Sequence, residues 1–416
     1  MRPILSTLLL FLAAAVVHAA DATPRFRTDA DGGYTAEERK KLAGKPQDRD
    51  SVLQWFQLVD GEFPPVGSAH VISGELIRVD HLERSFHLRV DRDDSQDAGN
   101  LDLPVAAVLL PYGSVYYHGA PAALQDIPLG THLHGEFYVK SPGDKTPALA
   151  NFHMHGRQTK DVDFTRCTRL EDDFTRRQRV SEAWKIESVD LGGMKLTARL
   201  QRGGEPVGEA KLFDLQSGTR AWKGRSVVEL DALQPGQVVL FNLTWATLFG
   251  PGRLLEVWLD EESRQGAARQ QTRRHHDHLH ERGLPGWIEK VNDKAEVVTI
   301  TFFDSFDPAL FEELKVVNES PIGWPLHKEP KNPKSPAGTI AVAMPSLLMF
   351  DPNNDRHGGN ILDVRRLPAR PGNSGVQIDV ECDALLEGFR PKRIVRFFPS
   401  AWKVKFPPLE EAYRSY

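Results

Sequence analysis

The chain has only two cysteines in 416 residues, Cys167 and Cys382, too few for a dense disulfide framework. One long-range bridge and two separate buried thiols both remain open. Beyond the N-terminal leader there is no continuous apolar run of the roughly 18 residues that a membrane-spanning helix needs. Positive charge is not in excess either. The formal balance of −5 offers no broad field for nucleic acid, and that partner is set aside. Catalytic signatures are missing as well: there is no G-x-S-x-G elbow, no phosphate-cradling P-loop, no dinucleotide glycine pattern and no Cys–His arrangement that spacing supports.

What is present begins with a leader, MRPILSTLLLFLAAAVVHAADATP. Arg2 supplies a positive start, residues 4–17 an apolar stretch, and Val17-His18-Ala19 a small-residue cleavage site. Removal is expected after Ala19 or Ala20, and no cysteine follows to carry a lipid anchor. The mature chain is expected to be soluble and exported, periplasmic or extracellular. Its length predicts two to four domains.

The organising feature is an internal repeat. Leu76-Ile77-Arg78-Val79-Asp80, Ile186-Glu187-Ser188-Val189-Asp190 and Ile288-Glu289-Lys290-Val291-Asn292 each end an apolar alternation with Val and then Asp or Asn. Each precedes a second alternating run, FHLRV at 86–90, MKLTARL at 194–200 and VVTITFF at 297–303. Period-two apolarity broken by turn residues reads as strand, turn, strand. A closing element follows in LQDIPLGTHLHGEFYV (124–139), LDALQPGQVVLFNLTW (230–245) and, more loosely, DALLEGFRPKRIVRFF (383–398). Asp80 and Gly130 lie 50 residues apart and Asp190 and Gly236 lie 46, against 96 for Asn292 and Gly388. The third copy therefore carries an insertion, and its Pro-rich part at 318–338 is expected to be a surface excursion.

Compact units of four or five strands, closed to hide their edges, point to small OB-like barrels. The stretch YYHGAPAALQDIPLGTHLHGEF at 116–137 resembles the Gly-x-Ala-x-Leu-x-Asp-Leu-x-x-Gly segment of small β-barrel domains in uncharacterised exported bacterial proteins. The resemblance implies an exported β-barrel module and carries over no catalytic residue.

The expected plan is mainly β: a leader at 1–19, an N-terminal helical or linker segment at 20–68, barrels at 69–140, 180–246 and 284–404, connectors at 141–179 and 247–283, and a tail at 405–416. In the first connector Phe164, Cys167, Leu170 and Phe174 recur at helical spacing, with Asp163 placed to cap the start. Residues 260–283 also predict a helix, polar almost all round and ending at Gly283, so either bridging solvent or held by a partner. Thr35 and Glu38 are spaced as a capping box for a further helix at 34–42.

Histidines carry the candidate chemistry. THLHG at 131–135 and FHMHG at 152–156 each place two histidines at i and i+2, on one side of a strand and about 6.5 to 7 Å apart. His132 with His134, and His153 with His155, are thus candidate ligands for zinc or copper, which neutral imidazoles suit. Set against this, the matching positions of the second repeat are Val238 and Leu240, and the further His pairs and Cys–His motif of a multicopper oxidase are absent. His276 and His280 form a second candidate, one helical turn apart in HHDHLH. In DPNNDRHGGN (351–360) Arg356 and Leu362 stand where a calcium loop requires Gly and Glu, so it reads as a plain turn. The acidic pairs Asp172-Asp173 and Glu261-Glu262 read as solvated connector charge. Trp184, Trp245, Trp287 and Trp402 read as core or lid packing before a sugar platform.

The leading expectation is a non-catalytic binding or assembly protein of the envelope or extracellular space. A protein or envelope polysaccharide would be met by the Pro-rich insertion and the 260–283 helix. The alternatives are a metal-binding protein or metal-dependent enzyme built on the H-x-H strands, and a polysaccharide-active protein with two facing carboxylates.

Overall fold

The computed structural model describes residues 55–81, 83–91, 104–139, 165–244, 252–307, 309–316, 336–342, 356–382, 385, 388–399 and 402. The leader, the 34–42 helix, His153, His155, Trp245, most of the Pro-rich insertion and residues 351–355 lie outside them.

Three small closed β-barrels follow one another along the chain. The first uses β1 (His70–Asp80), β2 (Ser85–Val90), β3 (Pro104–Tyr117), β5 (His132–Tyr138) and β6 (Arg166–Asp172), with β4 (Ala120–Ala122) pairing outside on β3. Around the barrel the order is β1-β2-β3-β6-β5 and back to β1, antiparallel except where β3 meets β6. The second repeats this circuit with β7 (Glu182–Asp190), β8 (Lys195–Arg202), β9 (Glu205–Asp214), β13 (Gly252–Trp258) and β12 (Val238–Thr244), and β9–β13 is again parallel. β10 (Arg220–Lys223) and β11 (Ser226–Val228) extend it beyond β13. Five strands with one parallel closure make an OB-type barrel.

The Val-Asp hairpins are repeated down to single hydrogen bonds. Asp80, Asp190 and Asn292 each accept the amide of the residue three places on, Glu83, Gly193 and Ala295, at 3.1, 2.9 and 3.3 Å. The following residue, Arg84, Met194 or Glu296, then takes positive φ. Such an Asx turn holds the short connection in a left-handed step that L-residues otherwise avoid. Each first strand bulges at the same place, between Leu76 and Arg78, Ile186 and Ser188, and Ile288 and Lys290. At the bulge Leu76, Ile186 and Ile288 offer their carbonyls to the amides of Gly130, Gly236 and Lys392. The third closing turn therefore belongs to Lys392 (φ 69°), not to Gly388 as the spacing suggested.

The third barrel departs from the other two. Its order is β14 (Leu284–Asn292), β15 (Val297–Phe303), β18 (Asn373–Cys382), β17 (Arg356–Arg366), β16 (Ala337–Val342) and β19 (Ile394–Pro399), back to β14. Every pairing is antiparallel. The extra chain of the third repeat thus supplies two wall strands. Ala337 and Gly338, read as the end of a loop, begin β16, and the 356–360 part of the supposed turn begins β17.

Each barrel encloses its own apolar core: Leu76, Phe86, Leu88, Leu133 and Phe137 in the first, Trp184, Ile186, Leu196, Val239 and Phe241 in the second, Ile288, Ile300, Phe302, Ile378 and Phe397 in the third. Cys167 and Cys382 sit fully buried in the first and third cores as free thiols, so there is no bridge. Trp184 and Trp402 are core residues, while Trp287 is buried between barrels one and three with Tyr112 and Phe303.

The first connector differs from its expected form, while the second contains the expected helix. Residues 166–172 are not helical; they form β6, which closes barrel one with Cys167 and Leu170 facing its core. The apolar spacing that fits a helix fits an inward-facing strand as well when the strand is buried on both faces. The helix of this connector among the described residues is α1 (Asp173–Arg179), capped by Asp172, while Asp163 and Phe164 lie outside the described residues. The 260–283 helix is present as α2 (Glu261–Arg282), capped by Asp260 and Ser263 and ended by Gly283 at φ 77°. It is held by this chain's own barrels. Gln271 Nε2 donates to Pro121 O and Asp126 of barrel one, His275 meets Ser305 O beyond barrel three's β15, and Leu279 enters the third core. A short helix, α3 (Leu310–Glu313), packs on the same core. No helix among the described residues is long and apolar enough to cross a membrane.

Candidate metal centre at the seam of barrels one and two

β5 alternates between two environments. Leu133 and Phe137 point into the core of barrel one, so His132 and His134 point out of the barrel wall. They do not reach solvent: the first turn of α1 and strand β12 of barrel two cover them, leaving His132 3% and His134 7% exposed. The rings stand perpendicular with centroids 4.8 Å apart.

The third member is Asp173, first residue of α1 and itself 3% exposed. Its Oδ1 accepts from His132 Nδ1 at 2.9 Å and from His134 Nε2 at 3.0 Å. Its Oδ2 accepts the Leu243 amide of barrel two at 3.0 Å. The outer nitrogens are also engaged. His132 Nε2 meets Asp91 Oδ2 at 3.0 Å, and His134 Nδ1 meets Ser73 Oγ at 2.6 Å. Two inner nitrogens and one carboxylate oxygen thus converge within 4.8 Å of one another, while the far atom of each residue is held by an outer partner.

Protonation follows from these contacts. Burial disfavours a charged His132, but the Asp173 and Asp91 carboxylates at its two nitrogens outweigh that and raise it to about 10. Burial dominates for His134, with the Asp173 contact opposing and charged His132 assisting, and brings it down to about 4. Burial opposes ionisation of Asp173, yet both histidines hold it well below the usual carboxylate range. In the metal-free protein this is an imidazolium, a neutral imidazole and a carboxylate.

Asp172, next in sequence, anchors the surrounding seam. It accepts from the Thr175 amide at 2.9 Å, the Asn242 side chain at 2.7 Å and the His118 amide at 3.1 Å, while Asn242 Oδ1 accepts the Phe174 amide at 2.8 Å. Phe174, Leu240 and Trp258 pack together beside it. Glu256 lies 3.2 Å from His118 Nε2 and pairs with Arg220 at 3.0 Å. The Asp172-Asp173 pair, read from sequence as solvated, is buried in the seam. The available signal was redundancy: one aspartate suffices to cap α1, and the second had no local task.

The other candidates part company. His276 and His280 lie on α2 with ring centroids 6.4 Å apart, and each faces its own acid, Asp307 at 2.8 Å and Glu313 at 3.5 Å. Glu261 and Glu262 are in the exposed first turn of α2, as the solvated reading has it. Among the described residues, only His132, His134 and Asp173 bring three ligand atoms together.

Neither a protein-family profile nor a curated protein matches the sequence. Among solved structures, a copper(II)-bound tryptophan-to-alanine variant of CusF from Escherichia coli is similar at 14% identity, covering 19% of this chain and 90% of that chain, with a TM-score of 0.14. Silver(I)-bound CusF gives 15% identity, 19% and 95% coverage and a TM-score of 0.14. Likeness at this level says nothing about the chemistry of the seam.

Proposed function

We propose that this is an exported binding protein that holds one divalent transition ion, zinc or copper, between its first two barrels. His132 Nδ1, His134 Nε2 and an Asp173 oxygen are its ligands. The observation that carries this reading is the division of labour at each residue. One atom faces the common centre, and the other is held by Asp91, Ser73 or the Leu243 amide. Outer partners of this kind orient imidazole and carboxylate ligands in metal sites. Two imidazoles and a carboxylate suit zinc(II) and copper(II).

The charge balance agrees. Asp173 and Asp91 bring two negative charges against the one proton charge on His132. A dication in place of that proton would make the set neutral, with Nε2–H of His132 still donated to Asp91. Deep burial of all three ligands fits a structural or carried ion better than a substrate-activating one, because a catalytic ion keeps an open position. The leader supports export, where the ion would be acquired outside the cytoplasm.

Metal analysis of protein purified without a histidine tag, after incubation with zinc or copper and removal of excess, tests this. About one ion per chain is expected, with loss of at least tenfold in affinity in Asp173→Asn. Wild-type protein that retains no ion, or Asp173→Asn that retains it undiminished, would overturn the proposal.

A further inference from the structure

The outward position that holds His132 in barrel one is filled in barrel three by Ile394, counted in the same way from the closing turns at Gly130 and Lys392. Ile394 faces a seam that is not packed solid. Where the chain ahead of β1 crosses from barrel one to barrel three, the three parts leave a cavity of about 220 Å³ between them. Leu58, Val59, Leu110, Pro111, Trp287 and Ile394 give it apolar walls. Val59 and Lys392, both exposed, stand on its solvent side, and the buried Tyr112 and Trp287 on its inner side.

Two hydrogen-bond donors line the same space. Lys392 is fixed at both ends: its amide donates to Ile288 O at 2.6 Å, its stem lies where a Cβ on Gly61 would, and its Nζ donates to Asp60 O at 3.0 Å. An ammonium has more donors than one carbonyl uses, and among the described residues no carboxylate pairs with this one. The second donor is Tyr112. Phe63, Trp287 and Phe303 hold its ring edge-on, with centroids 5.6, 5.6 and 6.2 Å away. Its hydroxyl lies toward Asp60, in the wall of the cavity, and has no hydrogen-bond partner among the described residues. Burial, and then Tyr138 and Asp60, hold this phenol far above its ordinary range, so it remains a donor. A buried hydroxyl without an acceptor is unfavourable.

The walls set the rest of the ligand. Trp287 Nε1 is engaged by Glu289 Oε1 at 3.0 Å, so its indole offers the cavity apolar surface. An apolar cavity of about 150 Å³ already takes a benzene ring. The space here accommodates a ring and a carboxylate. Arg166 and Asp60 add one charge of each sign to the wall, and Lys392 makes it net positive.

We infer that this cavity, at the seam of barrels one and three and apart from the histidine centre, binds a small aromatic monocarboxylate. Its ring lies against Trp287 and Ile394, and its carboxylate accepts from Lys392 Nζ and the Tyr112 hydroxyl. Hydrogen bonds to an ionised group are the stronger kind, and both donors are held in place before the ligand arrives.

Calorimetric titration of the full chain with sodium benzoate, sodium acetate and benzyl alcohol, at neutral pH and constant ionic strength, tests it. Benzoate should bind at about one per chain with a Kd below roughly 1 mM, which a well-seated ligand of this size permits. Acetate lacks the ring and benzyl alcohol the charge, so each should bind roughly tenfold more weakly or worse. Lys392→Met and Tyr112→Phe should each weaken benzoate by about tenfold, the loss of one hydrogen bond to a charged group. Should either variant fail to fold, Val59→Trp, on the exposed side, should occlude the cavity and abolish benzoate binding with the Tm unchanged. No heat with benzoate up to about 10 mM, already weak for a built site, overturns the inference. So does benzyl alcohol binding as tightly as benzoate, or benzoate binding undiminished in Lys392→Met or Val59→Trp.

Discussion

At the scale of single residues, the seam of barrels one and two depends on groups that satisfy several partners at once. Asn242 is such a residue: its oxygen takes the Phe174 amide and its nitrogen serves Asp172. Asn242→Ala leaves a buried amide and a buried carboxylate each short of a partner, at a cost of roughly 1–3 kcal/mol for each unsatisfied group. A urea midpoint unchanged from wild type would show that the seam does not contribute to stability. Glu256 adds a pH dependence. Burial opposes its ionisation, but His118, Arg220 and Trp222 outweigh this and hold its pKa below the usual value. Because the folded value is the lower, its contribution is complete above about pH 4.5, the ordinary value. It is lost as the pH falls through the folded value. Glu256→Gln should therefore flatten the stability profile between pH 5 and 3 (about the range of carboxylate titration), followed by tryptophan emission, since Trp258 packs on His118.

The residue scale is also where the sequence was least legible. His132 and His134 stood out by their spacing, and the same spacing placed them on one side of a strand. Their third partner did not stand out, because Asp173 is far along the chain and an Asp-Asp pair before a helix is ordinary in a surface connector. Its burial follows only from barrel two docking on α1.

At the scale of elements, the three hairpins show how a short pattern specifies geometry. Val followed by Asp or Asn marks the strand end, the side chain caps the turn, and the left-handed step comes next. The closing turns follow a similar logic with a sharper constraint. Gly236 has φ 89° and open space where a Cβ would lie, so Gly236→Ala is penalised by the backbone alone. A loss of roughly 1 kcal/mol is expected, read as a lower urea midpoint with an unchanged slope. Element type was harder to read where burial is two-sided. The spacing of Cys167, Leu170 and Phe174 satisfied a helix, yet the first two belong to a strand and the third to the helix after it. Likewise, the prolines before residue 336 masked the strand that follows them.

At the scale of the whole molecule, α2 acts as a strut. Its buried face is mostly polar, and it meets barrels one and three through Gln271, His275 and His276 as well as Leu279. Leu279→Ala should cost roughly 2–5 kcal/mol and lower the main unfolding transition of barrel three. If only a local fraying near α2 were seen by hydrogen exchange, the strut would not be coupled to that core.

The repeat itself was readable from sequence because a barrel of this size needs inward apolar residues at period two and a turn at fixed intervals, and both are local properties of the chain. What surrounds each barrel was not. The same two outward positions of the closing strand hold His132 and His134, Val238 and Leu240, or Ile394 and Arg396, and nothing local says which neighbour will cover them. Docking decides it, because burial and charge balance are properties of an interface whose two sides lie far apart in sequence. A histidine pair became a candidate metal centre only when another barrel removed the water from around it.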